Sequence, residues 1–425
     1  MTTRDKNPRQ TLRHLFKVAV GSVIADRVLP DFLPLRPKGR TIILAIGKGA
    51  SSMASVVARH WNHDYTGLIV TRYGHYDKCD ESLKHFEIIE ASHPVPDERG
   101  IAAGKRVLEM VSGLDQDDMV LVLISGGGSA LLPAPVRGID LEDKIIMTHA
   151  LLASGARIDE INCVRKHLSR IKGGRLAAAA APAKVVTLAI ADVVGNHPGH
   201  IASGPTVADN SSLAEAQAVI KRYNIDAPDK VMKALRDVKN ETPRLDGAAY
   251  QRNIYQVVAA PQDALCAARS QAMEYDYKVD MLGDLIEGEA KEVAAAHADI
   301  IRQAARDKSP TIILSGGEVT VTLSQDHGIG GPNTEYLLAL AIALDGMEGV
   351  YAIACDTDGK DGAGDNAGAI IGPTTLARAR KLGLDPAGSL AAHDSYNFFK
   401  SLDDLVITGP TNTNVNDFRA ILLTG

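Results

Sequence analysis

The sequence predicts an α/β fold in two domains: a larger N-terminal parallel sheet with helices on both faces, and a smaller C-terminal α/β domain. Three observations lead there. Short runs rich in Val, Ile and Leu, bounded by turn residues, alternate with helical segments, as in a parallel sheet covered on both sides. At 425 residues the chain exceeds what a single core usually serves. After Thr206 the texture turns polar, and a charged, turn-rich stretch over 240–253 separates two αβ series. The expected domains are 1–245 and 246–425, with about the last 30 residues packing back on the N-terminal domain.

In chain order, Leu12, Leu15, Phe16, Ala19, Val23 and Val28 lie at helical spacing, so an amphipathic helix is expected over 9–29. Strands follow at 41–46, 67–71, 86–91, 119–124 and 184–190, with helices at 50–60, 98–112, 141–153 and 159–170 between them. Polar helices over 212–223 and 229–238 lead to the boundary. The second series reads as strands at 254–260, 278–282, 311–315, 318–324, 350–354, 367–371 and 405–408. Helices at 263–275, 287–306 and 333–344 separate them.

Composition removes several function classes. Hydrophobic residues are 45% and charged residues 23%, an ordinary globular balance. A net charge of −6 gives no basic excess to follow a nucleic-acid backbone, so no nucleic-acid polymer is expected as partner. Aromatics are only 4%, which leaves no stacking platform for RNA or carbohydrate. Cys79, Cys163, Cys266 and Cys355 lie far apart without a CxxC pair; this excludes a zinc ribbon and a disulfide framework and fits a reducing cytoplasm. No apolar run reaches membrane-spanning length and the N-terminus lacks a signal-peptide layout, so neither membrane nor export is expected. The HExxH, GxSxG, P-loop and protein-kinase motifs are absent.

The chemistry gathers in glycine-rich turns. Gly47-Lys48-Gly49 follows the first strand and half-matches the dinucleotide fingerprint. A lysine between the glycines would crowd a pyrophosphate, and no acid ends the next strand; Arg72 there keeps an NADP-type reading open. Lys48 is placed instead to meet a phosphate at the carboxyl end of the sheet. Ser125-Gly126-Gly127-Gly128-Ser129 follows the fourth strand, and three successive glycines let backbone N–H groups converge into an anion nest. Ser315-Gly316-Gly317-Glu318 reads as a hairpin turn between two strands. Gly330-Gly331-Pro332-Asn333 opens a helix. Asp356, Asp358 and Asp361 crowd the turn after a strand; no closing Glu completes a Ca2+ loop, while carboxylates near phosphates suit Mg2+. Asp192, just past the fifth strand, is placed for metal or hydroxyl contact.

Together these motifs resemble the class II glycerate 2-kinases, whose C-terminal portion is the MOFRL domain. The resemblance runs through Gly47-Lys48-Gly49-Ala50, His93-Pro94-Val95-Pro96-Asp97, the Ser125 turn, Val164-Arg165-Lys166-His167-Leu168-Ser169 and Ile171-Lys172-Gly173-Gly174-Arg175. It continues through Ala202-Ser203-Gly204-Pro205-Thr206, Ser315-Gly316-Gly317-Glu318, the aspartate turn and Thr408-Gly409-Pro410-Thr411. It implies a Rossmann-like N-terminal domain and a MOFRL-like C-terminal one, with the active site in the cleft between them. It implies ATP and Mg2+ as cofactors and phosphorylation of D-glycerate at its 2-hydroxyl. A homodimer is a compatible assembly. Relatives of this kind are often labelled hydroxypyruvate reductase and occur with tartrate-utilisation genes. Three departures bear on the substrate. Pro332 stands where many members carry an Arg with an active-site role, Asn196 where a carboxylate is usual, and Asn412 where a glycine is usual. A related sugar acid of three or four carbons is the alternative acceptor.

Phosphoryl transfer needs positioning and charge neutralisation. The expected nucleotide seat is Gly47, Gly49, Ser125, Gly126, Gly127, Gly128 and Ser129, with Mg2+ on Asp192, Asp356 or Asp358. Lys48 would neutralise the moving phosphoryl group, and Asp192 or Asp361 would take the hydroxyl proton. Arg165, Lys166, Ser315, Gly316, Gly317, Glu318 and Asn333 are the expected contacts to the acid. Two competing readings are an NAD(P)H-dependent hydroxypyruvate reductase, resting on Gly47, Gly49 and Arg72, and a non-catalytic sugar-acid or nucleotide sensor, resting on Pro332.

Overall fold

The structure, a computed structural model, describes residues 7–323 and 326–425. Ser324, the expected end of the strand over 318–324, lies outside the described residues. The chain divides into two compact units: Val28–Val258, and Ala259–Gly425 together with the described residues up to Arg27.

The first unit is built on six strands: β1 (Thr41–Ile46), β2 (Thr66–Arg72), β3 (Phe86–Ala91), β4 (Met119–Ile124), β5 (Lys184–Ile190) and β6 (Ile254–Ala259). Their order across the sheet is β3-β2-β1-β4-β5-β6. β1 pairs in parallel with β2 and β4, β2 with β3, and β4 with β5. Every residue of β1 and β4 is buried, which is why both read as unbroken apolar runs. Chain order reverses between β1 and β4, and such a reversal opens a ligand crevice beyond the carboxyl ends of the strands.

β6 corrects the expected boundary at 245/246. It lies beside β5 in the first sheet, not in the C-terminal domain. Asn253 Oδ1 accepts from Val185 N (2.9 Å), and the Arg252 guanidinium donates to the carbonyls of Gln116 and Pro182 (3.0 Å each). The polar stretch before it is an excursion held on this unit, with Arg175 Nη2 donating to Asn240 O (2.6 Å).

The second unit contains β7 (Lys278–Glu289), β8 (Thr311–Thr320), β9 (Val350–Asp356), β10 (Gly368–Ile371), β11 (Leu405–Val406) and β12 (Asp417–Leu423), in the order β11-β10-β9-β12-β8-β7. Only β7 and β8 pair in parallel; β12 runs antiparallel to both β8 and β9. The sequence reading missed β12, whose residues are all buried at the middle of this sheet. The last residues therefore belong to the second sheet instead of returning to the N-terminal domain. The opening helix belongs here too. It splits into Pro8–Ser22 and Ala25–Val28, and the ring of Phe16 lies 5.7 Å from that of Phe418.

The expected hairpin at Ser315–Glu318 is absent: β8 continues straight through it. Gly317 sits at φ 104°, and a Cβ there would fall 2.1 Å from Ile286 O. The pairing with β7 shifts register between Met281 and Gly283 and again before Ile286, so the glycine admits a bulged neighbour, not a turn. No helix among the described residues is long and apolar enough to cross a membrane.

Candidate active site

Beyond β1 and β4, two glycine turns lock together. Gly47 N donates to Val70 O (3.0 Å), Lys48 N to Gly126 O (2.7 Å) and Gly49 N to Ser125 Oγ (2.9 Å). Gly47 sits at φ 128°, and a Cβ there would lie 2.3 Å from Ser125 Oγ, so only glycine permits this contact. The N–H groups of the first turn are thus committed inside the protein. Those of the second are not. Gly127 takes the left-handed conformation at φ 82°, and the N–H groups of Gly126, Gly127, Gly128 and Ser129 find no acceptor among the described residues. The nest is the turn after β4, and the part of Gly47 and Gly49 is to brace it.

Lys48 and His93 flank this nest. A Cβ on Gly127 would lie 2.9 Å from His93 Cδ2 and 3.4 Å from Lys48 Cγ. His93 was not among the expected site residues, although it leaves the carboxyl end of β3 as Lys48 leaves that of β1. Ser129 Oγ lies 3.0 Å from Ser203 Oγ, which donates to Asn162 Oδ1 (3.0 Å). Asp192 follows β5, which ends beside β4 with Ala189 opposite Ile124; Asp192 and the nest therefore leave the sheet at the same edge. The loop after Asp192 holds Asn196, Ala202 and Ser203 at φ 53°, 50° and 60°. Left-handed backbone is uncommon for such residues and tends to mark functional loops.

Arg165 and Lys166 adjoin on the helix Ile158–His167 but differ in state. Lys166 Nζ is 2.9 Å from Asp209 Oδ1, which neutralises it. Arg165 has no hydrogen bond or ion pair among the described residues, and burial lowers its pKa. Of the two, Arg165 is the one suited to meet an anionic ligand.

The remaining expected residues lie in the second unit. Ser315, Gly316 and Gly317 are buried within β8, whereas Glu318 is exposed. Asn333 opens the helix Pro332–Leu344; its Nδ2 donates to Asp417 Oδ1 (2.6 Å), and its Oδ1 is buried without a partner. Pro332 starts this helix, where its missing N–H costs nothing. Asp361 caps the same helix: Oδ1 accepts from Asn333 N (2.9 Å), and Oδ2 from Thr334 N and Oγ1 (2.8 Å each). Those bonds tie the carboxylate to the fold and speak against its expected role as proton acceptor. Asp356 Oδ1 and Asp358 Oδ1 each accept a backbone N–H in the following turn (2.8 Å). No three His, Cys, Asp or Glu side chains gather into a metal cage among the described residues.

Burial pushes the Asp361 carboxyl from its ordinary 3.8 up to about 6, outweighing the three donors. Between those values the folded chain keeps a proton that the unfolded chain has released. Its contribution to stability should therefore fall as pH rises from about 4 to about 6. Carboxyl carbon NMR should find Asp361 titrating near 6, and Asp361→Asn should remove that slope from the stability profile. A titration near 4 would contradict the burial of this cap.

Two family profiles match the chain: residues 11–236 match a domain of unknown function (DUF4147), and residues 311–417 match the MOFRL family. A D-glycerate 2-kinase from Thermotoga maritima is 40% identical over 409 residues, covering 95% of each chain. The chain belongs to the glycerate 2-kinase family. A crystal structure of a glycerate kinase from Thermotoga maritima superposes with a TM-score of 0.87 at 38% identity, covering 98% of this chain and 99% of that one. A protein of Agrobacterium vitis, provisionally named a hydroxypyruvate reductase, is 50% identical over 430 residues, covering 100% of this chain and 96% of its own. The reductase name thus sits beside kinase names among the relatives of this chain.

Proposed function

We infer that this chain is an ATP-dependent kinase that phosphorylates D-glycerate at its 2-hydroxyl, giving 2-phosphoglycerate. The observation that carries this reading is the division of labour between the two glycine turns. A dinucleotide enzyme seats its pyrophosphate on the N–H groups of the first turn. Here those groups are bonded to Val70, Gly126 and Ser125, while the open donors lie after β4 with Lys48 beside them. That arrangement suits the phosphates of a nucleotide and the charge that develops as a phosphoryl group moves. It leaves the reductase reading without a pyrophosphate seat.

Lys48 would offset charge on the transferred group, and Arg165 is the cation available to an anionic group of a substrate. Asp192 is the carboxylate best placed to accept the hydroxyl proton, since Asp361 is engaged as a cap. Mg2+, when bound, would supply positive charge to offset that of the phosphates. It needs few protein ligands, all oxygens, and the carboxylates of Asp192, Asp356 and Asp358 have that chemistry.

The test is product analysis by mass spectrometry with pure protein, ATP, Mg2+ and a panel of three- and four-carbon sugar acids. D-glycerate should give 2-phosphoglycerate and ADP. NADPH oxidation with hydroxypyruvate, without ADP from any acid, would overturn the kinase reading.

A further inference from the structure

Three basic side chains of the first unit, near enough to influence one another's charge, have no acid paired with them among the described residues. Lys144 lies on the helix Leu141–Ala153, Arg165 on the helix Ile158–His167, and Lys172 precedes the helix Arg175–Ala180. Lys144 is 6% exposed and Lys172 2%. The Lys172 ammonium donates only to neutral carbonyls, those of Ser129 (2.6 Å) and Leu132 (3.4 Å). The Lys144 ammonium and the Arg165 guanidinium have no hydrogen bond and no ion pair among the described residues. The acids in the neighbourhood are engaged elsewhere: Asp209 with Lys166, Glu160 with Arg222 and Tyr223, Asp143 with Lys230.

The three charges also press on one another. Burial first, then Arg165, lowers the Lys144 pKa to about 7, and burial first, then Lys144 and Arg165, holds that of Lys172 well below its ordinary value. A buried cation without a counter-charge is among the costliest features a fold can hold. Apolar side chains of the same length would fill the space more cheaply. The cluster also has a definite place. Lys172 is bonded to Ser129, the residue that ends the glycine nest, and Ser129 is linked through Ser203 to Asn162 on the Arg165 helix.

We propose that Lys144, Arg165 and Lys172 form a phosphoryl-binding subsite beside the Gly126 turn, built for a multiply charged phosphoryl group carried by the nucleotide or by the phosphorylated acid. Three basic side chains exceed what one carboxylate would require, whereas a phosphoryl group offers several acceptor oxygens and enough negative charge to restore the protons that burial disfavours. The proposal rests on the kinase reading only for the two carriers of that group.

The test is calorimetry on the full chain with inorganic pyrophosphate, ADP and 2-phosphoglycerate, paired with thermal melts of Lys144→Met and Arg165→Met. Lys144→Met removes a desolvated charge and keeps the stem, so its Tm should equal or exceed that of the wild type. Affinity for pyrophosphate should fall about tenfold to a hundredfold in both variants. Loss confined to ADP would identify the nucleotide as carrier, and loss confined to 2-phosphoglycerate the acid. Wild-type protein that binds none of the probes, or variants that bind all of them normally, would overturn the subsite. Arg165→Met keeps the test decisive should Lys144→Met fold poorly. If wild type binds pyrophosphate through these residues yet makes no 2-phosphoglycerate, the subsite stands and the kinase reading falls. Unaltered turnover and binding in both variants would do the reverse.

Discussion

Lys48→Ala should lower kcat by about 10²–10³ while leaving nucleotide affinity nearly intact. The backbone and the side chain of this residue have separate surroundings. Its backbone N–H holds Gly126 O at 2.7 Å and braces the nest whatever the side chain is. Its stem passes beside Gly127 at the edge of the glycine turn. Truncation therefore removes charge without dismantling the turn. If the ammonium acts mainly on the transition state, kcat falls and the nucleotide dissociation constant does not. Lys48→Arg restores charge as a wider planar fork and should recover only part of the rate. Steady-state kinetics paired with a thermal melt checks this. A folded Lys48→Ala enzyme with near-normal kcat would remove Lys48 from the catalytic group and leave Arg165 to supply the positive charge.

The first sheet was legible chiefly because β1, β4 and β5 are buried along nearly their whole length and read as plain apolar runs; these and the edge strand β3 fall on the expected residues. The second sheet was harder, since its pairings are largely antiparallel and its central strand comes last in the chain. Nothing local distinguishes Asp417–Leu423 from a tail, and only its neighbours β8 and β9 make it a core strand. Gly317 shows the same limit. Two adjacent glycines suggest a turn, and it takes the backbone of Ile286 to make them a bulged strand instead. At the site, three glycines in a row mark the turn after β4 without help. That the first turn gives up its donors depends on Ser125 Oγ reaching Gly49, a contact across the sheet that no spacing rule encodes. The engagement of Asp361 and Lys166 was hidden for the same reason. Their partners, Asn333 and Thr334 for one and Asp209 for the other, are set by the fold.

Arg419→Met should destabilise the protein by about 3–5 kcal/mol, the usual consequence of removing one partner from a buried ion pair. Arg419 is fully buried at the middle of β12. Its Nη2 donates to Asp417 Oδ2 (2.6 Å) and its Nη1 to Gly316 O (2.8 Å), and the guanidinium lies 5.5 Å from the centre of the Tyr336 ring. Asp417 in turn holds Asn333 Nδ2 and Val319 N. Methionine fills much of the volume but leaves Asp417 a buried carboxylate with no cation, so the loss is electrostatic more than steric. Adding Asp417→Asn removes the stranded charge, and the double variant should recover part of the loss in a double-mutant cycle. His297 offers an independent readout. It lies 2.7 Å from the Tyr336 hydroxyl, and burial first, then Arg419, lowers its pKa from 6.5 to about 4. Removing Arg419 lifts the second cause, so imidazole NMR should show His297 titrating at higher pH. The wild-type depression itself makes stability fall as pH drops from about 6.5 to about 4, and this slope should shrink in the variant. An Arg419→Met protein within about 1 kcal/mol of wild type, with His297 unmoved, would show that the pair does not organise this sheet.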